Sequence, residues 1–327
     1  MLGISVTRGQ LGTDRLAVVT LARVKSSGSV YRLLVLAAAL LFSTGGAAIK
    51  GAAFTAWQVS ALRCSVAVIA VILLMPEARR GWRWRTVPVA LSYAATLLFF
   101  VAATKLTTAA NAILLQGAAP LFVLILSPLL LREHIQRSQL VLMAVVGTGM
   151  AMFFAGRDTA TSIAPNPALG NLIASISAVT WALTIVGLRW LGREGGDQGM
   201  STVALGNLTA ALIAWPLALP LPALAARDIG IILWLGLFQV ALAYVCLTRG
   251  IRRVPAFEAT TLLLLEPALN PVWVWLLHGE RPSAMPLAGG ALILTATLVN
   301  AWWSNRALAS RPRQNEPNLH PAPVPEP

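Results

Sequence analysis

The stretch TLLLLEPALNP, residues 261–271, places Glu266 inside a run of leucines and follows it directly with Pro267. No other charged residue lies within seven positions of this glutamate on either side. A carboxylate in apolar surroundings is costly unless it faces a partner or a water-filled cavity. The rest of the chain must show whether these leucines face water, protein or lipid.

The composition answers that question. The 327 residues are 57% hydrophobic and only 11% charged, with a mean hydropathy of +0.72. Soluble domains carry roughly 25% charged residues, so this chain has too few charges for a globular surface and is predicted to be an integral membrane protein. The net charge of +13 does not indicate a nucleic-acid partner, because the basic residues form short clusters between apolar runs. Cys64 and Cys246 lie inside apolar runs and offer neither a disulfide framework nor a CxxC metal site.

The apolar runs predict the number of membrane spans. A transmembrane helix needs about 20 apolar residues, and the chain contains ten such stretches in two sets of five. They are 32–50, 56–75, 86–104, 108–131 and 138–155, then 169–190, 201–221, 229–248, 257–277 and 284–303. We therefore expect an all-α integral membrane protein with ten transmembrane helices. The predicted domains are an N-terminal extension (1–31), a five-helix unit (32–155), an extracytoplasmic linker (156–168), a second five-helix unit (169–303) and a disordered tail (304–327).

The basic residues predict the orientation. If the N-terminus is cytoplasmic, 19 of the 25 Lys and Arg residues fall in cytoplasmic segments and five in extracytoplasmic ones, while Arg63 lies inside a span. Cytoplasmic loops are enriched in Lys and Arg. Both termini are therefore predicted to be cytoplasmic, in the cell (inner) membrane if the source is bacterial.

The two sets of spans read as copies of one unit. Residues 104–134 laid over 251–281 give 7 identities in 31, with Pro120 opposite Pro267 and Glu133 opposite Glu280. FSTGGAAIK (42–50) and WALTIVGLR (181–189) both begin with an aromatic residue and end with a cation. Five spans are an odd number, so the second copy enters the bilayer from the opposite side. Inverted repeats of this kind are a recurring architecture of secondary transporters, whose substrate site lies near the midplane.

These motifs resemble the drug/metabolite transporter superfamily, of the type with two EamA domains. The likeness is carried by FSTGGAAIK, by ALRCSVA around Arg63, by NAILLQGAAP (111–120) with its closing LLLRE, by WALTIVGLR, and by LLLLEPALNP with its closing LLHGE. The resemblance implies a ten-helix basket around a cavity formed largely by spans 1, 3, 4, 6, 8 and 9. It also implies movement of small metabolites, often amino acids or amphipathic compounds, without indicating one substrate.

Glu266 is the first candidate for the substrate path or for coupling. If span 9 begins near Phe257, Glu266 lies about 14 Å into the bilayer, close to the midplane. Pro267 lacks an N–H, so the carbonyl of Leu263 loses its helical donor and the helix is expected to bend. Glu266 either lines the path and titrates, which would permit coupling to protons, or is protonated or hydrogen-bonded and ties helices together. The first half has Ala119 at the equivalent position.

Arg63 is the second intramembrane charge, about 9 Å below the outer face. It would either clamp a substrate carboxylate or pair with backbone carbonyls and snorkel outward, and its modest depth favours the second interpretation. The amides Asn207, Gln239 and Asn300 are expected to form interhelical hydrogen bonds. The remaining candidates for the path are Asn270 on the face of Glu266, Asn111 and Gln116 on span 4, and Trp181, while Pro120 and Pro128 are candidates for a helix bend.

The sequence disfavours other functions. It contains no GxxxxGK[ST] segment for ATP binding and no HExxH, and it has three histidines; we therefore predict no catalytic residues, no metal site and no cofactor. The favoured function is a secondary transporter of a small molecule, with export preferred to import. A passive channel or facilitator, or a non-transporting membrane scaffold, remains the alternative, and an intramembrane enzyme is least favoured. The expected partners are the substrate, the lipid bilayer and, if transport is coupled, protons; the oligomeric state stays open.

Overall fold

A computed structural model describes residues 29–80, 82–131, 137–155, 160–192, 198–223, 225–250, 254, 262–280 and 283–309. Throughout this part of the chain the regular secondary structure is helical, so the predicted all-α fold is confirmed. The helices of the first half are α1 (Ser29–Gly51), α2 (Ala56–Leu74), α3 (Thr86–Leu106), α4 (Ala109–Gln116 and Ala119–Leu131) and α5 (Arg137–Ala155). Those of the second half are α6 (Pro167–Gly192), α7 (Gly199–Ala218), α8 (Ala226–Gly250), α9 (Leu265–His278) and α10 (Ala284–Ala309).

Most of the helices have the length and surface of membrane spans. Seven of them (α1 to α4 and α6 to α8) are long and apolar enough to cross a bilayer, and α5 and α10 contain the shorter apolar segments Leu140–Ala155 and Ala284–Val299. Many of their most exposed side chains are leucines, such as Leu73, Leu129 and Leu277. Such a surface is stable against lipid and not against water. The predicted terminal extensions and the first part of predicted span 9 lie largely outside the described residues.

The two halves run in opposite directions. Lys50, near the end of α1, donates a hydrogen bond to the carbonyl of Ile163, just before α6 begins. The N–H of Asn166 donates to the carbonyl of Leu106, the last residue of α3, at 3.0 Å. The first and third helices of the first half therefore end at the face where the first helix of the second half begins. This is the geometry expected of an inverted repeat.

Corresponding helices of the two halves pack on each other. Helix α2 lies against α7, and α5 lies against α10. The second pair meets at glycines, because a Cβ added to Gly289 would lie 2.5 Å from the carbonyl oxygen of Gly149. Small residues of this kind let helix backbones approach closely in membranes.

Several helices are irregular. Helix α4 is interrupted at Gly117–Ala118, and the chain makes a turn at Leu264 just before α9. The alignment of the repeats places Gly117 opposite Leu264, so equivalent helices are broken at the same point. Helix α1 also has a turn at Thr44, and α8 is a π-helix over Trp234–Leu242. Irregularities of this kind are frequent at functional sites.

Candidate functional site

A cavity of about 120 Å³ lies between helices of both halves. It has room for several water molecules, and its wall combines aromatic, amide and charged side chains. The lining residues are Phe42, Arg63, Tyr93, Thr96, Leu97, Phe100, Gln116, Trp181, Gln239, Val240, Tyr244, Leu247, Leu263 and Glu266. These come from α1, α3, α4, α6, α8 and the α9 region, the six elements that the family resemblance implied, and from α2, which supplies Arg63.

Arg63 is one of the most buried side chains of the described chain, with 1% of its surface exposed. Its Nη2 donates to the carbonyl of Leu97 at 3.1 Å. Its Nε has no hydrogen-bond partner among the described residues. A buried guanidinium with a free donor has incomplete compensation for its lost hydration. The cavity wall therefore contains a cation that can still accept an anionic partner.

Glu266 lies on the wall of the same cavity. It occupies the first turn of α9, where unpaired backbone N–H groups favour a nearby negative charge. The interruption at Leu264 therefore explains how a carboxylate is tolerated at this depth. Pro267 is buried in the same turn, where its missing N–H costs little. Within the described chain no ion pair joins Glu266 to Arg63, so the two charges face one cavity without neutralising each other.

Aromatic rings form the opposite part of the wall. The ring of Tyr244 meets those of Phe42 and Tyr93 edge to face, with centroids 5.1 and 5.6 Å apart. The hydroxyl of Tyr93 is buried. Together with Trp181 these rings give an apolar surface with polar tips, which suits an amphipathic ligand.

Two amides complete the wall. Gln116 ends the first segment of α4 and donates to the hydroxyl of Ser177 on α6 at 2.7 Å. Gln239 lies in the π-helical part of α8 and rests against α1, where a Cβ on Gly45 would be 2.9 Å from its Nε2. Its Oε1 has no partner within the described chain. The irregular helices thus carry polar groups that face the cavity.

Other sequence candidates lie outside the cavity wall. Asn270 is fully buried on α9 and packs against α1, where a Cβ on Gly46 would be 2.4 Å from its Oδ1. The side-chain amide of Asn111 donates to the Thr107 hydroxyl and to Oδ1 of Asn171, both at 3.4 Å. Pro120 stands in the first turn of the second α4 segment and Pro128 inside it, while the interruption itself lies at Gly117–Ala118.

A second group of charges closes one end of the helix bundle. We call it the polar end cluster; it comprises Lys50, Lys105, Asp228 and Glu280. Lys50 Nζ lies 3.9 Å from Glu280 Oε2 and donates to the carbonyl of Thr107 at 2.7 Å. Lys105 donates to the carbonyl of Ala52 at 2.7 Å, and Asp228 accepts from the N–H of Ala53 at 3.0 Å.

Glu280 is placed by the end of α9. Gly279 has a φ of 66°, a left-handed conformation that ends the helix and that glycine adopts without strain. The turn brings Glu280 Oε1 to 2.7 Å from the N–H of Ala109, at the start of α4. Burial raises the pKa of the Glu280 carboxyl above its ordinary value, while the Lys50 ammonium and the Ala109 N–H oppose that shift.

Sequence reasoning missed the role of four side chains of the wall. Tyr93, Tyr244 and Thr96 were not candidates, and Gln239 was interpreted as an interhelical amide only. The chain has three tyrosines, and two of them lie in mid-span; a phenol at that depth needs a polar partner, which was the available signal. Within the described residues no group of three or more His, Cys, Asp or Glu side chains is arranged to hold a metal.

The polar cavity between two inverted helical halves defines the class of protein as a membrane transporter of small molecules. The comparison with family models gives the family: the EamA-like transporter family matches residues 30–155 and 168–302. The chain belongs to this family. Its relatives and its family are transporters rather than enzymes.

Individual relatives agree. The chain is 29% identical over 275 residues to the pseudopaline exporter CntI of Pseudomonas aeruginosa, covering 81% of this chain and 94% of that one. It is 25% identical over 290 residues to the uncharacterized transporter YwfM of Bacillus subtilis, covering 83% and 94%. A solved crystal structure of a protein 20% identical in sequence matches with a TM-score of 0.57, over 85% of this chain and 99% of the other, and supports the fold.

Proposed function

We propose that this transporter carries an amino acid or a related amphipathic compound through the central cavity by alternating access. The observation that carries the proposal is the wall itself, where an incompletely bonded guanidinium, a half-buried carboxylate and aromatic rings face one cavity. Arg63 would bind a substrate carboxylate, Glu266 a substrate amine or a coupling proton, and Tyr93, Tyr244 and Trp181 the apolar part.

The orientation and direction of transport are part of the proposal. The excess of Lys and Arg in alternate segments supports a cytoplasmic location for both termini. The polar end cluster then lies at the extracytoplasmic face, because α1 and α3 end there. Export is favoured because one relative is named an exporter.

A passive channel is the alternative function. It would require a path open at both faces of the membrane at once. The polar end cluster holds the ends of α1 and α3 against the start of α4 and the turn after α9, which favours a carrier over a pore.

Flux into proteoliposomes tests the proposal. We expect saturable flux for a subset of amino acids and their analogues, and loss of that flux in Arg63→Gln and Glu266→Gln. Matched controls are Arg79→Gln and Glu77→Gln, both in the short helix Pro76–Arg79 between α2 and α3. The guanidinium of Arg79 donates to the carbonyl of Ile72 outside the cavity. Absence of saturable flux for every compound, with correctly inserted protein, would contradict a transport function. Flux that rises linearly with concentration would favour the channel.

A further inference from the structure

Two charged side chains of the polar end cluster are buried more deeply than a contact between helix ends requires. Lys50 and Glu280 are both almost fully buried, with 4% and 2% of their side-chain surfaces exposed. A buried ion pair contributes little net stability, because the loss of hydration offsets the attraction between the charges. Stability alone therefore does not explain why two charges are held at this position.

The bonds of the pair cross between the two halves of the molecule. Glu280 belongs to the second half, and it contacts Lys50 and the N–H of Ala109, which both belong to the first. Lys50 also donates to the carbonyl of Ile163, in the segment that connects the halves. Any movement that separates the end of α9 from the ends of α1 and α4 breaks the bonds of Glu280 together.

The contact is also incompletely satisfied. The Lys50 Nζ to Glu280 Oε2 distance of 3.9 Å is longer than a charge-assisted hydrogen bond. Glu280 Oε2 is buried and accepts no hydrogen bond from the described residues. Such a pair gains hydration when it separates, so the closed and open arrangements differ less in free energy than they would with an apolar seal.

The cavity is displaced away from this cluster. Along α3 its last lining residue, Phe100, lies about 9 Å before the end of the helix, and along α1 Phe42 lies about 12 Å before Lys50. At the other face Leu247 is only about 4.5 Å from the end of α8. The cluster therefore stands between the cavity and the face where α1, α3 and α9 end.

We propose that the Lys50–Glu280 pair is the extracytoplasmic gate of the transporter. The pair is closed in the conformation described here and separates to release substrate outside. The inference rests on the proposed function, since a gate needs a carrier. It assigns to Lys50 and Glu280 a role in moving between conformations, and none in binding substrate.

The experiment measures how readily the gate opens, and it needs no substrate. A reporter cysteine is introduced as Phe100→Cys, the lining residue nearest the cluster on α3, in a chain whose Cys64 and Cys246 are replaced by alanine. A membrane-impermeant maleimide is added to intact cells, and the labelling rate is measured. Labelling should be slow with the pair intact.

The variant Glu280→Gln keeps an oxygen for the Ala109 N–H and removes the charge. It should raise the labelling rate roughly tenfold or more, and Lys50→Met should do the same.

A double variant and a control variant distinguish the opening of a gate from a general loosening of the helix bundle. Combining Lys50→Met with Glu280→Gln leaves no unpaired buried charge, so its labelling rate should fall below that of either single variant. Asp228→Asn removes a carboxylate of the same cluster that pairs with a backbone N–H instead, and should change the rate by less than about twofold.

Three results would overturn the gate. One is an unchanged labelling rate in both single variants; another is an equal rise in Asp228→Asn; the third is fast labelling already in the intact chain. Failure of both single variants to insert would show that the pair serves folding, which also contradicts the proposal. Because labelling needs no transported compound, failure of the gate can be distinguished from failure of the transport function.

Discussion

Two regions of this molecule each contain a cation and a carboxylate, and the two regions arrange these charges in opposite ways. In the cavity, Arg63 and Glu266 face the same space without forming an ion pair. In the polar end cluster, Lys50 and Glu280 lie 3.9 Å apart and close the end of the bundle. Charges kept apart leave room for a ligand that satisfies both, whereas charges held together join two surfaces. The comparison assigns binding to the first region and conformational control to the second.

The largest expected effect comes from removing a cavity charge. Arg63→Gln deletes the guanidinium that we assign to a substrate carboxylate. A hydrogen bond to a charged group contributes about 1.5–3 kcal/mol, so the affinity for the transported compound should fall roughly 10- to 100-fold. Binding and flux measured on the same preparation check this. If the Arg63→Gln variant had unchanged affinity, Arg63 would serve only to join helices by hydrogen bonding.

Glu266→Gln should lower flux while leaving insertion intact, because the amide keeps the size of the side chain and loses its charge. If the carboxylate titrates during transport, the pH dependence of flux should disappear in the variant. Flux measured between mildly acid and mildly alkaline pH provides the readout. Kinetics identical to those of the unaltered chain would make Glu266 architectural, stabilised at the start of α9 and uninvolved in transport.

The next prediction concerns α8, the helix that contributes to both the cavity wall and the polar end cluster. A Cβ added to Gly236 of α8 would lie 2.5 Å from Val66 and 2.9 Å from the carbonyl oxygen of Arg63. Gly236→Ala should therefore push α8 away from α2 and displace Arg63, at a cost of about 1–3 kcal/mol. Thermal unfolding in detergent and substrate affinity should both decline. Gly230 is the matched control on the same helix, since nothing lies within 4 Å of its added Cβ.

If Gly230→Ala were as damaging as Gly236→Ala, the loss would come from α8 itself and not from its contact with Arg63. If neither substitution had an effect, the contact between α8 and α2 would be too deformable to fix the position of Arg63. Either result would weaken the assignment of Arg63 to a fixed place in the wall.

The smallest expected effect lies at the edge of the cavity. Gln116→Leu removes the 2.7 Å hydrogen bond to Ser177 that joins α4 to α6. An interhelical hydrogen bond in a membrane contributes about 0.6 kcal/mol on average, so flux should change by less than about threefold. A complete loss of transport would show that Gln116 binds the substrate directly.

The sequence was sufficient for the architecture and for part of the site. Apolar runs of membrane length and an odd repeat predicted ten helices in two opposed halves, because length and hydropathy are strong constraints in lipid. The charge of Glu266 in a leucine run indicated one residue that lies on the cavity wall, and its role in transport stays a prediction. The partners of a side chain depend on helix rotation, which periodicity does not fix when both faces of a helix are apolar.

Asn270 and Gln239 illustrate that limit. Both are amides in apolar helices, yet Asn270 packs against Gly46 while Gln239 faces the cavity. The contact between Lys50 and Glu280 was likewise beyond sequence reasoning. It joins residues far apart in the chain and depends on the left-handed turn at Gly279, and a helix-ending glycine does not indicate where the next side chain will point.

Protection of a cavity cysteine by the transported compound tests the central claim most directly. In a chain with alanine at positions 64 and 246, Thr96→Cys puts a thiol on the wall and Leu140→Cys puts one on the exposed surface of α5. The compound that saturates flux should slow alkylation at position 96, with half-protection near the concentration that half-saturates transport, and should leave position 140 unaffected. Transport that stays intact while the thiol at position 96 reacts at the same rate with and without the compound would contradict the account.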